Sequence, residues 1–304
     1  MKKSLKNNLA RCLIVLMFIG GLLLSLYPTI ADVYGKYRDS KLIANYELSI
    51  KSLSKDEKEA LLKDAIDYNN EINNLNNGYL VSKYQHKEYT DPDEVTKYNN
   101  TLKTSSNGII GTISIPKIAV TLPIYHWSSD EVLNKGIGHI HGSSLPIGNG
   151  VEPDNPEFNN IKGSHSLLIG HRGLPSLKLF SDLDEMEIGD KFYIKVLGDI
   201  YAYQIYDVCV VLPDEVEELK IEPGRDLCTL ITCTPYGVNT HRILIKGQRV
   251  KYEGESLEAS VTNKLARILD PKTVLGLGLI LFIICMRIYN KKQKGKTKGD
   301  INEK

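Results

Sequence analysis

The fold class the sequence predicts is mainly β, as a barrel or a sandwich. Three observations point there. Short runs rich in valine, isoleucine, threonine and tyrosine recur between Gly108 and Val250, with glycine and proline between them. Two of these runs, Lys191–Leu197 and Tyr201–Ile205, alternate in polarity around Gly198-Asp199, which is a hairpin signal. Helical patterns are few in this stretch, and many short strands separated by such turns favour closed or sandwiched sheets.

Taken in order, the chain opens on Lys2, Lys3, Lys6 and Arg11, then runs charge-free and apolar from Cys12 to Ile30. That length suits a membrane span. Residues 1–31 therefore read as a cytoplasmic stub and transmembrane anchor. A cleaved signal peptide is the alternative, although no clear small-x-small site follows. A second, shorter apolar run covers Thr273–Met286, and Arg287, Lys291, Lys292, Lys294, Lys296 and Lys298 follow it. Residues 273–289 read as a C-terminal span and 290–304 as a basic cytoplasmic tail. Positive charge stays inside, so both termini are expected in the cytoplasm, with the segment of roughly 32–272 outside the cell membrane.

Residues 32–107 form an N-terminal helical region. Apolar residues appear at helical spacing up to Ile50. Ser54-Lys55-Asp56-Glu57 fits a capping box. Leu61, Leu62, Ala65 and Ile66 then make one apolar stripe, expected to pack on the β domain. The asparagine-rich stretch from Asn69 to Gly78 breaks the pattern. Asp91-Pro92-Asp93 reads as a turn.

The β domain spans residues 108–253. Ile113, Ile115, Ile118, Val120 and Leu122 nearly alternate, and Pro116 between them suits an edge or a bend. Val208–Leu212, Leu227–Cys233 and Arg242–Val250 complete the strands. Residues 254–272 are a linker that breaks at Asp270-Pro271.

The chemistry centres on Thr229-Leu230-Ile231-Thr232-Cys233-Thr234-Pro235-Tyr236, with Arg242 nine positions after the cysteine. Pro235 ends one strand and Arg242 begins the next, so both side chains can face one cleft. A thiolate is the reactive form of cysteine, and a nearby cation favours it. Such a nucleophile also needs a general acid or base. His171, between the apolar run Leu168-Ile169 and the turn Gly173-Leu174-Pro175, supplies one at another strand end. His241 adjoins Arg242 and should point away from it.

Five cysteines occur. Cys12 and Cys285 fall in the apolar runs, which leaves Cys209, Cys228 and Cys233 outside. An odd external count argues against a closed disulfide framework. Cys228 lies on the opposite strand face from Cys233, and it and Cys209 read as small core residues. His139 and His141 would share a strand face, but no third ligand accompanies them, so they read as surface or loop residues. No metal or cofactor is implied. A net charge of +1 gives no nucleic-acid footprint.

The segments GHRGLPS and TCTPYGVNTHR resemble the histidine segment and the TLxTC signature of sortases, most of all the class C, pilin-polymerising sortases of Gram-positive bacteria. The resemblance runs from about Gly108 to Arg249. It implies a closed β-barrel of about eight strands, with an N-terminal helical and lid segment and two terminal transmembrane helices. It further implies a cysteine transpeptidase. Cys233, His171 and Arg242 would be catalytic, and Thr232 would help line the pocket. The substrates would be pilin subunits with an LPxTG-like signal, cut between threonine and glycine and joined to a lysine amine. Class C sortases carry an Asp-Pro-aromatic lid. Asp91 and Pro92 match it, whereas Asp93 stands where the aromatic belongs. Cell-wall anchoring of single proteins, a membrane-tethered cysteine protease and a non-catalytic assembly module are the alternative readings.

Overall fold

In the computed structural model, residues 2–74, 92–105, 107–174, 177–215 and 217–258 are described, together with 276, 278–280, 283, 284 and 287. The β-branched runs form eight strands. β1 (Ile109–Ile115) and β2 (Val120–His126) flank a 3-10 turn at Pro116–Ile118, where the missing proline N–H costs no ladder bond. Then come β3 (Ile137–His139), β4 (Ser164–Ile169), β5 (Lys191–Val196), β6 (Asp199–Val211), β7 (Asp226–Thr234) and β8 (His241–Val250). They close as β1-β2-β3-β4-β7-β8-β6-β5, with β5 returning to β1. The β2–β3 and β4–β7 pairs are parallel and the others antiparallel.

The expected hairpin is present, but its two-residue turn is Leu197-Gly198, one position earlier than the sequence suggests. Val196 pairs with Asp199, and both turn residues have positive φ, at 50° and 91°. That is the turn geometry whose twist matches the strands. The runs at Tyr201–Ile205 and Val208–Leu212 prove to belong to one strand, β6. A register shift between Ile205 and Asp207 separates their patterns, and such a bulge resets the alternation without ending the ladder.

Phe192, Ile194, Tyr203, Cys228, Leu230 and Ile245 are fully buried members of the main core. Gly247 belongs there for steric reasons, since a Cβ would come 2.6 Å from the Phe192 ring.

Among the described residues the helices are α1 (Lys2–Lys51), α2 (Lys55–Asn74) and α3 (Pro92–Asn100) before β1, and α4 (Asp130–Leu133) between β2 and β3. From Tyr34 onward, α1 belongs with the barrel. Leu42, Tyr46 and Ile50 recur every four residues and pack with Ile109 and Tyr125. The Tyr46 hydroxyl donates to the Ile110 carbonyl at 2.9 Å.

α2 starts with the expected capping box. Ser54 N–H donates to Glu57 Oε2 at 2.8 Å, and Glu57 N–H donates back to Ser54 Oγ at 3.2 Å. The stripe Leu61, Leu62, Ala65 and Ile66 packs on the core as expected. The asparagines do not break the helix at Asn69. Asn69 is fully buried and bonds Leu145 N–H, Leu145 O and Gly148 O, which fixes the loop after β3. Its polarity serves a long-range loop contact, which local propensity does not reveal.

The other unit comprises residues 1–33 and 264–304. Among the described residues no single helix is long and apolar enough to cross a membrane. The bent pair Leu16–Leu24 and Leu26–Lys51 passes that test together, with a 44° bend. Pro28 accounts for the break, because a proline ring clashes with the carbonyl four residues earlier, here that of Leu24. Most of the expected second span lies outside the described residues.

Candidate active site

β7 is the middle strand of the site, with β4 on one flank and β8 on the other. On the β8 side Cys233 pairs directly with Arg242, and Thr234 with His241. Direct antiparallel partners stand about 5 Å apart at Cα and project to the same face. On the β4 side Ile169 pairs with Ile231 in parallel register. Gly170 N–H donates to the Ile231 carbonyl at 3.1 Å. His171 lies two residues past the end of β4. Cys233 and Arg242 thus share one face at the end of the β7–β8 ladder, and His171 follows the end of β4, the strand on the other flank of β7. All three residues are half-buried.

The His171 turn is fastened from two directions. Phe180 N–H donates to the His171 carbonyl at 3.2 Å. Arg172 bridges the two loops of the site: Nη2 donates to Asp184 at 2.5 Å, and Nη1 donates to Thr234 Oγ1 at 3.3 Å. Its guanidinium also lies 5.8 Å from the Tyr236 ring centre. Gly173, at φ 79°, packs against the same ring, where a Cβ would approach to 3.1 Å.

A cleft of about 820 Å³ leads to Arg242. Ile140, Ile169, Val211, Ile231 and Leu244 line it with apolar surface, and Trp127 and His141 also line it. These aliphatic residues belong to a small apolar cluster separate from the main core. The cleft therefore offers an apolar surface with a cation at one end, and Cys233 is the direct cross-strand partner of that cation. Such a layout suits an extended peptide whose reacting carbonyl reaches the thiol.

Thr232 does not line this cleft. It is fully buried, and its hydroxyl donates to the Gly170 carbonyl at 2.7 Å. One position from Cys233, it faces the barrel interior, as strand alternation requires.

Pro92 and Asp93 are exposed in the first turn of α3. Asp91 lies outside the described residues. Arg242 Nη1 donates to the Asn239 and His241 carbonyls, at 3.2 and 3.0 Å.

Of the other thiols, Cys228 is fully buried, and burial pushes its pKa well up. Cys209 is not a core residue as expected. It is half-buried beside the cleft's apolar cluster. Burial raises its pKa, while nearby Lys246 opposes the rise. Asp207, Cys209 and Glu218 bring ligand atoms within 4.8 Å of one another. The Lys246 ammonium already pairs with both carboxylates there.

His139 and His141 are not surface residues. They are buried, because Tyr98 of α3 and Trp127 cover them. Tyr98 Oη lies 2.7 Å from His139 Nδ1, and the Ser144 carbonyl lies 2.9 Å from His139 Nε2. Burial holds His139 near a pKa of about 4 and His141 near about 3.

Two residues at the site escaped the sequence reading. Arg172 adjoins His171 in the motif, a signal that was present but unweighted. Trp127 had only its rarity as a signal.

A family model described as "Sortase domain" matches residues 113–250. Among solved structures, sortase C1 from Streptococcus agalactiae is 38% identical. The match covers 70% of this chain and 100% of that one, with a TM-score of 0.59.

The chain belongs to the sortase family.

Sortase C-1 from Streptococcus pneumoniae is similar at 32% identity, covering 70% of this chain and 99% of that one, with a TM-score of 0.56. These structural neighbours are class C sortases. "Sortase A" of Streptococcus agalactiae serotype III is 30% identical over 149 residues, which span 49% of this chain and 56% of that relative's own length. Sortases are cysteine transpeptidases, and the sortase barrel accounts for β1 through β8.

Proposed function

We propose that this sortase is a class C transpeptidase that polymerises pilins. The observation that carries this reading is the direct register of Cys233 with Arg242, with His171 two residues past the end of the neighbouring strand β4.

In the proposed cycle the Cys233 sulfur attacks the threonine carbonyl of an LPxTG-like signal. The bond to glycine breaks, and His171 gives its proton to the departing amine. A thioacyl enzyme remains. A lysine amine of another pilin attacks it, His171 takes the surplus proton, and an isopeptide bond replaces the thioester. Arg242 hydrogen-bonds the oxyanion in both steps, where a fixed cation helps most as charge develops.

Asp91, together with Pro92 at the start of α3, is proposed as a lid motif, with Asp91 bound for Arg242. Asp93 is too short and too polar to cap the thiol as an aromatic would. Asp91→Ala should therefore speed labelling of Cys233 by a thiol reagent, and an unchanged rate would reduce Asp91 to a turn residue.

The terminal apolar runs are proposed to hold the enzyme in the cell membrane, with both ends cytoplasmic and the barrel outside. Pilin precursors at the same surface would meet it at high effective concentration.

The testing experiment incubates the full chain with a pilin bearing an LPxTG-like signal, in the presence of pilin lysine, a peptidoglycan amine or water alone. A ladder of covalent pilin oligomers that disappears with Cys233→Ala is expected. Transfer only to the peptidoglycan amine would assign cell-wall anchoring instead, and hydrolysis unaffected by amines would assign a protease.

A further inference from the structure

Trp127 is the chain's one tryptophan, and its backbone sits at φ 69°. That left-handed conformation is costly for a bulky side chain and persists only where the surroundings over-determine it. Here three elements do so. Indole Nε1 donates to Asn99 Oδ1 at 2.7 Å. The ring meets Tyr98 edge-on, with centroids 5.0 Å apart at 85°. It also lies 4.7 Å from the His141 ring. The backbone bridges to His139 of β3. Tyr98 in turn is fully buried and held by His139.

This clamping sets the indole in the same cleft as Arg242, Ile231 and Leu244. The indole's only polar atom is already engaged by Asn99, so the ring brings apolar surface to the cleft and no spare donor. Such a face packs well against aliphatic or prolyl groups.

We infer that Trp127 is a specificity-determining residue for the donor peptide. Its ring takes an apolar or prolyl side chain of the sorting signal, on the N-terminal side of the bond that is cut. This inference rests on the cleft being the donor groove. It makes α3 part of substrate selection, because Asn99 and Tyr98 aim the ring.

A single tryptophan lets fluorescence report on this position alone. The full chain carrying Cys233→Ala, in detergent micelles, is titrated with a synthetic LPxTG peptide while indole emission is followed. A saturable change is expected, and none with a peptide whose leucine and proline are replaced by glycine.

In parallel, Trp127→Gly is assayed in the otherwise native chain. Glycine accepts the left-handed backbone freely, so the variant should fold. KM should rise about tenfold with kcat within about twofold, and Trp127→Phe should recover much of the loss. An emission that stays flat to millimolar peptide, or a KM for Trp127→Gly within about twofold of the parent, would overturn the inference.

The mass of the unsubstituted chain after exposure to the peptide separates the two readings. A Cys233 adduct with flat emission sinks only the role of Trp127. An emission response without an adduct keeps Trp127 as a peptide contact and removes the transpeptidase chemistry.

Discussion

Cys233 and Arg242 face each other across the β7–β8 ladder, one pair before it ends at Thr234 and His241. Strand register, rather than the loop between the strands, sets their spacing. Arg242→Lys keeps the charge but loses the planar fork. It is expected to lower kcat by roughly 100-fold or more, the range for loss of an oxyanion donor. Labelling of Cys233 by a small thiol reagent should persist. Stopped-flow labelling beside steady-state turnover checks both.

That relationship was legible before the fold was known, because a proline and a glycine between two β-branched runs announce a strand end and a return. Most of the barrel's strands were legible for the same reason; the bulge hid the unity of β6, and three-residue β3 offered too short a run to read. The misreadings concern side chains whose environment arrives from far along the chain. His139 and His141 read as surface or loop residues, whereas Tyr98, some forty residues earlier, covers them. Asn69 looked like a helix breaker until Leu145 and Gly148 engaged it. The left-handed backbone of Trp127 belongs to the packing of three elements, and nothing in its neighbours' identities encodes it.

Arg172 should act by holding the two loops of the site together. Arg172→Ala and Asp184→Ala are each expected to lower kcat by about tenfold, and the double variant little further, as members of one network are non-additive. A double-mutant cycle on turnover checks this. Full additivity would mean that the Arg172–Asp184 pair does not act as a unit.

Acid should destabilise the fold. His126, His139 and His165 are held near a pKa of about 4, and His141 near about 3, with burial the largest cause for each. The unfolded chain titrates them near 6.5, so below that pH it binds protons the folded chain refuses. Stability from these groups is complete above about pH 6.5 and falls progressively as pH drops through the folded values. Asp226 works in the opposite direction. Burial raises its pKa to about 6, so it favours the fold in acid, as one group against four. Melting temperatures of the full chain should therefore fall between pH 7 and pH 4.5. A flat profile would mean that the histidines are accessible to solvent protons.

Asn69→Ala leaves one buried N–H and two carbonyls without their partner. A loss of about 2–3 kcal/mol is expected, which is a melting shift of roughly 4–12 °C. Calorimetry on the purified chain reads it, and turnover at a temperature where the variant stays folded should be nearly unchanged.

The most direct measurement is the intact mass of the full chain after exposure to an LPxTG peptide. The parent protein should gain the mass of the peptide's acyl portion, lost on treatment with hydroxylamine. Cys209→Ala and Cys228→Ala should gain it too, and Cys233→Ala should not. An adduct that survives in Cys233→Ala would contradict the account at its centre.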